Sequence, residues 1–326
     1  MIEVHLIENN QQSRFPQFQL PMDVVGPLML SAAEAGDTKR LISTLGYVRN
    51  IDFTRGGVDM KQTALHMAAK GGHQDIVQLL LDKGASTEAI DSGNRTPLHL
   101  AGLNGHTDAV KLLLDKGARI EAMENFNHTP LYCAAWKGHT TTVELLLMKG
   151  ASIEARNINN CSPLYAAACY GHTSTVELLL TKGALIEAGE INNCTPLYVA
   201  AQNGHTGTVE LLLTRGASID ARDIDNCTPL YIAAGYGHTS TVELLLTKGA
   251  SIEARGIANC TALYVAAQNG RTSTVELLLR KGASIEALNT IGETPLDYAE
   301  RWGQTGDVVK LLKDRAAELA VHADRS

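Results

Sequence analysis

The chain has 326 residues, 44% hydrophobic but only 5% aromatic, so it can bury a core, and Leu, Ala, Val and Ile must pack it. Its 28 Lys and Arg against 35 Asp and Glu give a formal charge of -7, which counts against a nucleic-acid binder with a basic face. Six cysteines fit no short disulfide framework, no apolar run approaches a membrane span, and the start MIEVHLIENN lacks the basic-then-apolar order of a secretion signal. A soluble, cytoplasmic protein with no membrane contact is the reading.

Residues 1–26 match nothing later in the chain. IEVHLI alternates like a strand, and Pro16 and Pro21, near Phe15 and Phe18, favour an extended course. Two roles are open to this segment: a cover over the adjoining helices, or a self-ligand lying along them. Near Pro27 begins PLMLSAAEAGDTKRLISTLG, a helical unit three residues out of register, the difference being absorbed between Tyr47 and Gln62.

From there a repeat takes over. Thr63, Thr96, Thr129, Ser162, Thr195, Thr228, Thr261 and Thr294 recur every 33 residues, most followed by GHT, TVELLL and KGA. With the divergent first unit this makes nine. In the unit from Thr129 to Cys161, Thr129 is an N-cap and Pro130 the first helical residue. Leu131, Ala134 and Ala135 form a thin apolar face that Gly138 ends. A second helix starts near Thr140, with Val143, Leu146 and Leu147 on one side, and Gly150 closes it. The polar stretch to Cys161 holds Asn160 where a tight turn needs positive φ.

Two helices this short cannot bury their apolar faces alone, but stacked units can. Nine layers at roughly 8–10 Å each give a rod or arc of roughly 80–90 Å. Small Ala on the first helix and bulky Leu on the second taper each layer, which places first helices and hairpins on a concave side. In the last unit Asp307 and Lys310 supply charge where inner units have Thr and Leu, as a terminal cap requires, and Lys313, Asp314 and Arg315 continue it. Residues 316–326 extend that helix and fray.

TPLHLAG, GHTDAVKLLLDKGA and the 33-residue period resemble the ankyrin repeat. The resemblance covers residues 27–315 and implies an all-α solenoid of helix-turn-helix units with short β-hairpin loops, flanked by the segments 1–26 and 316–326. The chain departs from the family pattern in two columns. Tyr132, Tyr165, Tyr198, Tyr231 and Tyr264 stand where the family has the His kept at His66 and His99, and Asp297 stands there in the last unit. Asn94, Asn127, Asn160, Asn193, Asn226 and Asn259 replace the usual turn Gly, which only Gly292 retains. The family's loop Asn, often hydroxylated, is absent: Glu88, Glu121, Glu154, Glu187, Asp220, Glu253 and Glu286 hold that place, so this modification is not expected.

Two columns invite chemistry and fail on geometry. The histidines His73, His106, His139, His172, His205 and His238 lie one repeat apart, about 10 Å, too far to share a metal, and Arg271 interrupts them. They read as turn residues bonding nearby backbone. Cys161, Cys194, Cys227 and Cys260 are equally spaced and beyond disulfide reach. Small apolar fillers is the better reading, with a redox role the lesser alternative. No GxSxG, P-loop, HExxH or CxxC occurs, so no enzyme activity, cofactor or metal is expected.

Family members typically bind partners through hairpin tips and the exposed first-helix face. Carried onto this chain, that implies Met123, Phe126, Trp136, Lys137, Arg156, Tyr170, Gln202, Asn203, Arg222, Tyr236, Arg255, Gln268 and Asn269 as partner-binding residues. A Tyr-bearing pair alternates with Gln-Asn from the fifth to the eighth unit, a 66-residue period that suggests duplication of a two-repeat block. Trp, Tyr and Arg dominate protein hot spots, and an Arg-lined face suits an acidic partner segment, although copying of neutral surface residues accounts for the pattern equally well. The reading is a monomeric, non-catalytic scaffold or adaptor. The alternatives are a microbial effector acting on host proteins and an engineered or consensus-like array.

Overall fold

The computed structural model describes residues 21–54, 61–304 and 306–323. The strand reading of IEVHLI lies outside them. Two compact units divide the chain, residues 1–158 and 159–326.

The first unit holds α1 (Met22–Ala35), α2 (Thr38–Leu45), α3 (Ala64–Gly71), α4 (Gln74–Asp82), α5 (Pro97–Asn104), α6 (Thr107–Asp115), α7 (Pro130–Trp136) and α8 (Thr140–Met148). The second holds α9 (Pro163–Cys169), α10 (Thr173–Thr181), α11 (Pro196–Gln202), α12 (Thr206–Thr214), α13 (Pro229–Tyr236), α14 (Thr239–Thr247), α15 (Ala262–Gln268), α16 (Thr272–Arg280), α17 (Pro295–Arg301) and α18 (Asp307–Ala323). Within each unit, odd-numbered helices pack on one another in one layer and even-numbered helices in a second. The result is nine helix pairs among the described residues, as the periodicity requires.

Local chemistry sets the helix ends. Thr129 Oγ1 accepts the N–H of Tyr132 at 3.2 Å, and Pro130 follows at the first helical position, where its missing donor is harmless. The apolar face then buries completely: Leu131, Ala134, Ala135, Val143 and Leu146 are each at most 1% exposed. The first helix departs from the sequence reading. It begins at Met22 rather than near Pro27, which lies inside it, and Gly26 is bare because the Phe53 ring occupies the space of a Cβ. The last helix runs unbroken through residues 316–323, with Asp307 and Lys310 exposed and Val308 and Leu312 buried.

No strand forms among the described residues. The loops are turns closed by backbone bonds, such as Asp223 N–H to Cys227 O and Asn226 N–H to Asp223 O, both at 3.1 Å. All six turn asparagines lie at φ between 59° and 65°, and Gly292 at 78°. Neighbouring tips are also joined, with Ile224 N–H donating to Asn192 O at 3.0 Å.

Besides the buried apolar faces, a set of polar bonds in fixed columns joins one repeat to the next. His106 Nε2 donates to Lys70 O at 2.9 Å, and His139, His205 and His238 make the same bond to Leu103, Cys169 and Gln202. Each acceptor is a carbonyl near the end of a first helix, left without an intrahelical partner. The imidazole lies over the Gly that closes that helix: a Cβ on Gly105 would stand 2.5 Å from His139 Nδ1. A second column links acid to backbone, Glu121 accepting Ser152 N–H at 2.7 Å and Glu253 accepting Ser284 N–H at 2.8 Å. A third joins hydroxyls, such as that of the half-buried Thr206 to that of the buried Thr241 at 2.8 Å.

Gly105 and Gly117 both have positive φ, but only Gly105 faces a neighbour's ring; nothing lies within 4 Å of a Cβ on Gly117. Gly117→Ala carries backbone strain alone, about 1 kcal/mol, whereas Gly105→Ala also displaces the His139 bond. Urea unfolding is expected to show Gly105→Ala costing about 1–2 kcal/mol more.

Candidate partner-binding surface

The columns that looked like sites are the joints themselves. Where His gives way to Arg271 and Gln304, Arg271 Nε still donates to Gly235 O at 3.1 Å and Gln304 Nε2 to Gln268 O at 2.9 Å. The position therefore asks for an N–H donor of the right reach. No group of three or more His, Cys, Asp or Glu able to hold a metal occurs among the described residues.

His66 and His99 work differently. His66 Nε2 donates to Arg95 O at 2.9 Å, so Nδ1 is left to accept from Thr63 N–H at 3.2 Å and from the Thr63 hydroxyl at 2.9 Å. One ring thus closes its own helix cap and ties down the next loop. Burial holds both histidines below their usual pKa. Asp297 repeats the capping half, accepting from Thr294 N–H at 3.0 Å. The tyrosines give up that half and reach further into the next loop. Tyr198 donates to Asp223 Oδ2 at 2.9 Å, and the fully buried Tyr264 directs its hydroxyl at the carbonyls of Ala287 and Glu293. Burial raises the Tyr264 hydroxyl to about 12.

Cys227 and Cys260 pack among Tyr198, Tyr231 and Tyr264. None of the six cysteines is in a disulfide, and burial pushes the Cys227 thiol up to about 11, so it stays protonated and works as a small filler.

The expected partner-binding residues fall into two classes. In the first unit Met123 and Phe126 are more than half exposed, beside a ring cluster. Phe126, Tyr132 and Trp136 surround His128, whose ring stacks on Tyr132 at 4.3 Å, and Lys137 Nζ sits 4.7 Å over the Trp136 ring. His128 donates Nδ1–H to the buried Glu124 at 2.9 Å, and desolvation holds its pKa below the usual histidine value. Arg156 pairs with Glu154 at 2.9 Å. In the second unit Tyr170 and Tyr236 are each 52% exposed and lie on His172 and His238. Gln202 Nε2 donates to the Tyr236 hydroxyl at 3.4 Å.

Other residues prove to be joint residues. Asn203 donates to Cys169 O and Asn269 to Gly235 O, both at 3.1 Å, doubling the bonds of His205 and Arg271. Gln268 is half-buried, and its backbone carbonyl accepts Gln304. Arg222 and Arg255 each use one terminal nitrogen on two loop carbonyls, the farther ones being Arg255 O at 2.8 Å and Leu288 O at 3.0 Å. The sequence reading missed the tip isoleucines. Ile191, Ile224 and Ile257 are between 53% and 66% exposed, and the available signal was an apolar residue held at one place in an otherwise polar turn.

The family model described as ankyrin repeats (3 copies) matches residues 28–124, 92–157, 120–189, 164–256 and 255–322. The human ASB11 ankyrin repeat domain is similar in structure, with 30% identity, a TM-score of 0.64, and coverage of 68% of this chain and 99% of that one. No curated protein matches the chain.

Two outcomes are expected of the buried columns. Tyr264→Phe takes the hydroxyl from Ala287 O, while Glu293 O keeps Asn289 N–H, and is expected to cost about 1–3 kcal/mol in urea unfolding. For His66 and His99 the folded pKa lies below the unfolded value of about 6.5, so the unfolded chain takes up protons first. Their contribution is complete above pH 6.5 and is lost as pH falls below it. Thermal melts at pH 7.5 and 5.5 are expected to differ less in His66→Tyr than in wild type.

Proposed function

Because the chain belongs to the ankyrin-repeat family, we propose that it is a non-catalytic scaffold or adaptor that holds a protein partner on its first-helix ends and loop tips. Protein binding is the general role of such repeats. The observation that carries the reading is what remains once the joint bonds are assigned. The large side chains Met123, Phe126, Tyr170, Tyr236, Ile191 and Ile224 are each more than half exposed, and the backbone of Phe126, Ile191 and Ile224 is bonded to a neighbouring loop tip.

Rigid, aromatic-rich positions are suited to partner hot spots, because their ordering entropy is already lost on folding. Arg222 and Arg255, fixed at the tips by carbonyl bonds, present charge for an acidic stretch of that partner.

A partner captured from lysate and identified by mass spectrometry is expected to lose at least tenfold in affinity to the Phe126→Ala, Trp136→Ala pair or to the Tyr170→Ala, Tyr236→Ala pair. Melting temperatures should stay within a few degrees of wild type. Unchanged affinity in both pairs would sink the reading.

A further inference from the structure

Behind the second helices from α4 to α16 stands a cation, and five of these cations meet an acid of the repeat before. Lys116 pairs with Asp82 at 2.8 Å and Lys149 with Asp115 at 2.7 Å; in the second unit Arg215, Lys248 and Lys281 pair with Glu177, Glu210 and Glu243. Lys83 is the first member of this column. With the three extra residues of the first repeat allowed for, the two positions that hold the acid elsewhere are Ile42 and Gly46. The same correction places Asp52 in the acid-to-backbone column, where it accepts Ser86 N–H at 3.1 Å, so the register is sound.

At this one joint the acid is missing, and a cavity of about 410 Å³ stands there. Ile42, Leu45, Gly46, Val48, Arg49, Ile51, Leu79 and Lys83 line it. Arg49 replaces the buried Ala seen at this point in the later repeats, as at Ala85, and so adds a second cation. Neither Arg49 nor Lys83 has an ion pair among the described residues, and Ile42 is 57% exposed. Two cations beside an aliphatic floor form a joint without the acid that pairs with Lys116, Lys149, Arg215, Lys248 and Lys281 in later repeats.

We propose that this cavity is a second docking site, on the α2–α4 side of the first unit, for a partner peptide that brings a carboxylate flanked by aliphatic side chains. The carboxylate takes the place of the absent acid against Lys83 and Arg49, and the aliphatic groups cover Ile42, Leu45 and Leu79. Charge complementarity selects this occupant: an apolar or basic segment leaves both cations without a counter-charge. The site is independent of the first-helix surface.

The probe is fluorescein-labelled Ser-Gly-Leu-Glu-Leu-Gly-Ser, read by anisotropy on the full chain, beside its twin with Gln for Glu. The Gln twin is expected to bind at least tenfold more weakly, and the Arg49→Glu, Lys83→Glu variant to lose a similar factor. Ile42→Glu supplies the missing acid within the chain and is expected to abolish probe binding while raising the melting temperature. Trp136→Ala should leave binding intact, which separates this site from the other surface. Equal binding of the two peptides, or none at millimolar concentration, overturns the proposal. So does octanoate competing as well as the peptide, which would assign the cavity to a free acyl carboxylate. Concentration-dependent dimers in sedimentation that vanish in Lys83→Glu would assign it to a second copy and equally overturn the proposal.

Discussion

The structure depends on a reach of one side chain: a side-chain N–H must extend from the start of a second helix to an orphan carbonyl on the first helix of the repeat before. That carbonyl has no partner inside its own helix, and leaving it buried without one is costly. The reach dictates what lies beneath it. Gly72 closes α3 in the left-handed region at φ 69°, which glycine tolerates best, and His106 then lies flat over the bare backbone. The helix end, the glycine and the donor are thus one device. Arg271 and Gln304 show that the device is defined by donor and distance rather than by the imidazole.

Once that joint is in place, the repeated polar residues find their employment in the same way. The acids after the second helix accept backbone N–H groups one repeat on, the threonines pair hydroxyl to hydroxyl, and the turn asparagines adopt positive φ while their amides reach the next loop, as Asn193 does to Arg222 O at 2.7 Å. These residues recur because every joint needs them. The side chains available for recognition are those the joints do not constrain, and they cluster at helix ends and tips.

Much of this was legible in the chain. The caps at Thr129 and Ser162, the glycine stops and the left-handed asparagines follow from local stereochemistry, which a sequence states directly. That the His column serves backbone was legible from spacing alone, but its acceptor was not, because the bond crosses 36 residues. The roles of Asn203 and Asn269 were hidden for the same reason: their amides point at carbonyls of the preceding repeat. The start of α1 escaped because Pro27 reads as a first helical residue, whereas here it lies inside a helix that Met22 opens. The exposure of Ile191 and Ile224 escaped because a β-branched residue in a turn reads as an anchor, and its burial is a property of the neighbours.

The near-identity of the joints also bears on how the chain finds its own register. A helix pair whose His, acid and Thr columns match those of the next pair satisfies the same bonds one repeat too early or too late, so mispaired arrays compete closely with the native one. Discrimination must come from what is unlike its neighbours: Asp297 where Tyr stands before it, Asp307 and Lys310 facing water, and Phe53 lodged on Gly26. These irregular ends act as alignment marks, and the uniform middle takes its phase from them.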